Sequence, residues 1–412
     1  MSQVSADHPD ATDSPYSWFR LGVCLILSTI GGVGLWSSVV VLPSIELEFG
    51  LDRGGASFPY TATMIGFALG GVLMGRLVDR FGIAIPVIMA ATMICAGYVL
   101  SSFAPNFWTF LACQAVLIGM LGSSATFGPM VADVSHWFLK RRGLAIAIVA
   151  SGNYLAGAIW PPILQEAIVS IGWRGAYFWV GVFCFCTMIP LALLLRRRPD
   201  IDQGSVPVAA KAATASAPVS PNVVLMLLVV AGVGCCVAMS MPQVHIVAYC
   251  GDLGYGPAVG AEMLSLMLGL GVVSRLASGV IADKIGGVGT LILGSTLQCL
   301  ALLFYLPFDG LVSLYLVSAL FGLSQGGIVP SYALIVREYF PARQAGSRVG
   351  IVLMATVLGM ALGGWMSGEI YDLTGSYQAA FLNGIAFNLL NMSIAFWLLY
   401  IRRPKGPKAA VA

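Results

Sequence analysis

The sequence predicts an all-α membrane protein of twelve transmembrane helices in two six-helix bundles. Three observations carry that expectation. Of 412 residues, 58% are hydrophobic and only 9% charged, where soluble domains carry about 25% charged residues. Apolar stretches of spanning length recur from one end of the chain to the other. Two motifs also repeat at nearly one offset on either side of the longest polar break. A water-soluble enzyme of this composition would have no polar coat, and disorder, coiled coil, collagen and a disulfide scaffold are excluded on the same grounds. A net charge of +3, scattered along the chain, gives no nucleic-acid surface. The 9 cysteines sit mostly inside apolar runs and read as small hydrophobes. No metal cluster, P-loop or dinucleotide fingerprint is present, so no metal or cofactor is expected.

The tail 1–17 is polar and acidic (Asp7, Asp10, Asp13) and lacks the basic start of a signal peptide. The apolar run that follows Arg20 reaches Leu42, roughly 22 residues, and a span needs about 20. It therefore reads as an uncleaved span. The expected helices are 18–42, 58–78, 84–103, 107–133, 143–166 and 174–195 in an N-terminal bundle (18–195). The C-terminal bundle (222–401) follows with 222–249, 259–282, 287–307, 310–336, 347–370 and 377–401. Between them lies a linker, 196–221, which opens RRRPD and continues Ala/Pro/Ser-rich; a short basic tail, 402–412, closes the chain. Sorted by loop, 18 Lys and Arg fall on one side of these spans, from Arg20 and Lys140 to Lys408. Only Arg53 and Arg174 fall on the other, and Arg275 falls on neither. The positive-inside rule places both termini in the cytoplasm, and a bacterial inner membrane is the expected location.

Gly75-Arg76-Leu77-Val78-Asp79-Arg80-Phe81-Gly82 follows the second span, and Gly279-Val280-Ile281-Ala282-Asp283-Lys284-Ile285-Gly286 follows the eighth, 204 residues later (75 to 279). Trp137-Phe138 and Tyr339-Phe340 repeat 202 residues apart (137 to 339). Parallel halves of this kind are a transporter plan with substrate bound near mid-membrane, between them. Gly75 and Gly82 permit close packing and a tight turn, and Asp79 can sit at the start of the next helix. With Arg76, Arg80, Asp283 and Lys284 they read as a conformational latch rather than an ordinary charged turn.

The loop Gly75–Gly82 resembles the signature of the major facilitator superfamily, G-x-L-x-D-R-F-G. The stretch Trp137-Phe138-Leu139-Lys140-Arg141-Arg142-Gly143-Leu144-Ala145, running on to Gly152, resembles the motif of its monocarboxylate transporters, and oxalate/formate antiporters share a similar stretch. The resemblance implies a secondary transporter, a monomer and not an enzyme. The resemblance further implies transport of small monocarboxylates such as lactate or pyruvate together with a proton, or else exchange of one carboxylate for another.

Arg275 stands out without any family knowledge. It lies within LGLGVVSRLASGVI, mid-way through the eighth span. A charge at that depth costs about 2.5–3.5 kcal/mol on insertion scales, so it normally faces a partner or a watery cavity. Glu262 is 13 residues away, about 20 Å along a helix, and other acids lie at loop ends. An anionic substrate would supply the missing counter-charge, gripped in a guanidinium fork. The resemblance agrees, because monocarboxylate transporters carry an essential Arg on this helix. It also departs: animal members have an Asp where this chain has Gly271 and a Lys where it has Ser44, and the antiporter's second Lys has no counterpart in VLMATVLGMALGG. One buried cation suits one carboxylate.

His245, within the seventh span, can contact substrate or carry the proton, or can simply bond a neighbouring backbone. Glu262 and Asp133 are the alternative proton carriers. Phe127, in Phe-Gly-Pro, sits where the family often has Tyr-x-Pro and would pack on the substrate's carbon tail; Ser123, Ser124 and Thr126 read as helix contacts. Trp36 walls the cavity or sits at the outer interface. Asn153, which needs a polar partner, and Gln325 and Tyr332, seven apart on one helix face, are the remaining candidates for the lining.

Overall fold

The computed structural model describes residues 12–197, 220–340 and 342–402. The linker expected at 196–221, apart from its edges, most of the two tails, and Arg198, Lys211, Arg403, Lys405 and Lys408 lie outside the described residues.

Among the described residues, ten helical segments are long and apolar enough to cross a membrane. The first four are Pro15–Phe49, Arg53–Phe81, Ala84–Ser102 and Phe107–Trp137; then come Arg142–Leu194, Pro221–Asp252, Pro257–Phe304, Leu311–Tyr339, Ser347–Thr374 and Tyr377–Ile401. The two longest each contain one non-helical glycine, Gly172 (φ 74°, ψ 161°) and Gly286 (φ 76°, ψ 174°), at which two spans meet. The ten segments thus hold twelve spans, the fifth and sixth being 142–171 and 173–194, the eighth and ninth 257–285 and 287–304. Only glycine takes such a φ without penalty. Gly82 has the same geometry (φ 76°, ψ 171°), 204 residues before Gly286. Gly172 and Gly375 (φ 67°) stand 203 apart between the last two spans of each half. The sequence repeat is therefore also a repeat of backbone shape.

Local signals start the helices. Ser14 and Asp52 cap the first two spans, with the Asp52 carboxylate accepting the Gly55 N–H at 2.7 Å. Pro221 and Pro257 sit in first turns, where a missing N–H costs nothing. Asp13, just before the first helix, clasps the loop behind the fourth span. Its N–H donates to the Trp137 carbonyl (3.0 Å), and its carboxylate accepts from the N–H groups of Leu139 (3.1 Å) and Lys140 (2.9 Å). Burial pushes the Asp13 carboxyl up, but these bonds outweigh it and hold the group below the usual range.

Four spans are interrupted at mid-depth. The first breaks at Gly32, the fourth widens over Cys113–Met120 and leaves the helix before Gly128, the fifth breaks at Ser151, and the tenth breaks at Gly326–Gly327. Irregular backbone at this depth is tolerated only within protein or along a water-filled cavity. A Cβ on Gly326 would collide with the backbone N of Arg275 and with the Gly271 carbonyl, so the tenth span touches the eighth directly.

The halves meet through the second and eleventh spans and through the fifth and eighth. At the face opposite the chain's ends, the Arg53 guanidinium is buried among Asp252 (3.0 Å), Glu46 (3.2 Å) and the Tyr377 hydroxyl (3.2 Å), and lies over the Tyr371 ring (4.8 Å). Asp372 accepts the N–H groups of Arg53 (2.9 Å) and Gly54 (2.6 Å). Deeper in, Thr61 donates to the Ala361 carbonyl. Toward the face that bears the chain's ends, Val72, Leu73, Leu144, Val280 and Ile351 of the same four spans stand exposed. This conformation is closed at the opposite face.

Candidate functional site

The interrupted helices surround a cavity of about 120 Å³ between the halves. Arg275 lines it, and its bonds explain how a guanidinium survives at that depth. Nη1 donates to the Ala150 carbonyl (2.8 Å) and Nε to the Gly326 carbonyl (3.4 Å). Both acceptors stand at helix breaks, where carbonyls lose their helical partners. The guanidinium also lies 4.3 Å from the centre of the Tyr154 ring. No carboxylate pairs with Arg275 among the described residues; the ion pairs there belong to Arg20, Arg53 and Arg174. Its fork therefore keeps a positive charge that two carbonyls solvate and nothing neutralises.

Trp36, Phe127 and Asn153 line the same cavity. Trp36 Nε1 donates to the Asn153 carbonyl (3.2 Å), and the Asn153 Oδ1 is buried without a hydrogen-bond partner. Gln325 stands one layer behind: its Oε1 accepts from Gln243, which does line the cavity, and its Nε2 donates to the Met267 carbonyl. Tyr332 is farther away in bonding terms, donating to Asn391 Oδ1 (2.7 Å) inside the C-terminal half.

His245 lies outside the lining. Its Nε2 is 2.7 Å from the Gly364 carbonyl and its Nδ1 is 3.0 Å from the Tyr377 hydroxyl. A carbonyl only accepts, so Nε2 carries the proton and Nδ1 accepts from Tyr377, which in turn accepts from Arg53. Glu262 is exposed and accepts from the Tyr315 hydroxyl. Asp133 is buried in a two-pronged pair with Arg20 (2.8 Å to each oxygen).

Arg76, Asp79, Arg80, Asp283 and Lys284 are exposed in this conformation. Gly82 forms the expected turn, but close packing does not account for Gly75: a Cβ there would meet nothing within 4 Å. Asp79 and Gly82 line a separate cavity of about 300 Å³ with Arg20, Asp133 and His136.

Gln243 and the burial of Arg53 emerge only from the structure. Tyr154, which follows the family motif beside Asn153 in sequence, has its place fixed here by the stack on Arg275. Gly271 gains a reason too. A Cβ there would fall 2.6 Å from the Tyr154 ring, so an acidic side chain at this position cannot coexist with the stacked tyrosine. Gly271→Ala should push Tyr154 off Arg275 and weaken carboxylate binding about tenfold, the scale of a partly lost cation–π contact. Calorimetric titration of the purified variant measures it.

The sequence model described as Major Facilitator Superfamily matches residues 24–313 and 289–411. Monocarboxylate transporter 13 of Rattus norvegicus is 27% identical over 352 residues, 83% of this chain and 78% of that protein. Monocarboxylate transporter 12 of Xenopus laevis is 26% identical over 438 residues, 98% of this chain and 93% of that protein. Among solved structures, a peptide transporter crystallised with sulfate superimposes with a TM-score of 0.73 at 14% identity, over 97% of this chain and 99% of its own. That last likeness speaks for the fold alone.

Proposed function

The chain belongs to the Major Facilitator Superfamily, a family of transporters, and on that premise we propose that it carries small monocarboxylates, lactate- or pyruvate-like, together with a proton by alternating access. The observation that carries this reading is Arg275, a guanidinium with no carboxylate partner among the described residues, facing a cavity between the halves. A substrate carboxylate supplies the counter-charge, and an accompanying proton spares the pair about 2.3 kcal/mol of work per charge per 100 mV. The basic loops support a cytoplasmic side for the face bearing the chain's ends, and on that reading this conformation is closed outward.

His245 is the proton carrier that fits this scheme best, ahead of Glu262 and of Asp133, which Arg20 already holds. A second proton on Nδ1 would leave Tyr377 facing two donors and set a cation beside Arg53. The outer lock would loosen as the proton arrived.

One contact favours the exchange reading. The bond from Arg275 to the Ala150 carbonyl ties one half to the other, and an empty carrier so tied would reorient slowly. Radiolabelled L-lactate uptake into proteoliposomes separates the two schemes. Proton-coupled carriage gives several-fold faster uptake with an inward proton gradient and no internal substrate. Uptake that ignores the gradient and requires internal carboxylate overturns it in favour of exchange.

A further inference from the structure

Beyond Arg275 the cavity is mostly apolar, and several of its polar groups are already engaged. Gln243 Nε2 donates to Gln325 and Thr356 donates to the Leu353 carbonyl (2.7 Å), while Asn153 Oδ1 has no hydrogen-bond partner. Three methionines from both halves share the lining: Met64 on the second span, Met239 on the seventh and Met360 on the eleventh. Trp36 and Phe127 complete that wall. Thioethers are unbranched and polarizable, and they fill irregular space around ligands of differing shape. One cation within an adaptable, mostly apolar lining describes an amphipathic ligand.

We infer that, among the small monocarboxylates it carries, the preferred one has an unsubstituted or branched hydrocarbon tail of several carbons, seated on Met64, Met239 and Met360, with L-lactate carried as a weaker substrate. This rests on the reading that Arg275 holds the carboxylate. A hydroxyl set against the methionine thioethers would lose its water and gain at best a weak acceptor, at a net cost. Each added methylene instead gains contact with the wall until the cavity of about 120 Å³ is filled.

The test is equilibrium binding to the full chain in lipid nanodiscs, by calorimetry at constant pH, with acetate, propionate, butyrate, pentanoate, hexanoate and L-lactate. The dissociation constant is expected to fall about fourfold per methylene, the effect of burying one CH₂, until the tail outgrows the cavity, and butyrate is expected to bind tighter than L-lactate. A flat series, or L-lactate binding tightest, overturns the inference. Met360→Leu should keep the slope and Met360→Gln should flatten it; an unchanged slope in Met360→Gln also overturns it. Arg275→Ala separates the two claims. If the acids bind that variant undiminished with the slope intact, the carboxylate reading fails while the tail wall stands. If no acid binds the wild type, both fall.

Discussion

Arg275→Ala should abolish measurable carboxylate binding and uptake while the chain stays folded. Truncating one partner of a buried charge pair costs about 2–5 kcal/mol, a loss of roughly 30-fold to several thousand-fold in affinity. The fold should survive because the guanidinium makes only two hydrogen bonds and one ring contact. The carbonyls it leaves, Ala150 and Gly326, stand at helix breaks next to Arg275, and water filling the space of the lost side chain can bond them. Arg275→Lys is the sharper comparison. An ammonium keeps the charge but cannot hold the Ala150 carbonyl and present a flat fork to a carboxylate at once. It should retain weak binding, about ten- to a hundred-fold poorer than wild type. Titration of both variants, with thermal melts as the folding control, reads the result. Full uptake by Arg275→Ala would make its burial a purely structural matter.

What the sequence discloses and what it hides follow from cost. Arg275 was legible because a charge in an apolar run is expensive, and Asn153 because an amide there needs a partner. The reversals at Gly172 and Gly286 were legible as gaps between apolar stretches, at 166–174 and 282–287. His245 was legible as a polar residue, but its partners Tyr377 and Gly364 come from other helices, and no local pattern encodes them. The helix breaks at Gly32 and Gly326 were hidden among 49 glycines that look alike in sequence, and the one at Ser151 sits at an ordinary small residue. The methionine wall was hidden for a similar reason, since Met64, Met239 and Met360 fit any apolar helix. Arg53 was counted as a loop charge and nothing more. Its burial depends on where acids from other segments end up.

That burial makes Arg53→Gln the second large effect. Arg53 is 7% exposed and is the one cation described among Glu46, Asp252 and Asp372. Removing one side of a buried ion pair costs about 3–5 kcal/mol. Here the cost falls on one conformation, because the guanidinium bridges the halves only while this face is closed: Glu46 lies on its own half, Asp252 and Tyr377 on the other. A neutral amide in its place would leave the carboxylates repelling each other across the seam. The bonds from the backbone N–H groups of residues 53 and 54 to Asp372 would remain and temper the change. A differential loss of about 3 kcal/mol moves a two-state equilibrium by roughly 150-fold, enough to turn a population that is mostly closed at this face into one that is mostly open there. Spin-label distances between the outer ends of the second and eleventh spans should lengthen in Arg53→Gln, with the thermal melt little changed. Unchanged distances would mean that packing around Thr61, Ala361 and Gly364 closes this face unaided, and that the buried charges only tolerate the closure.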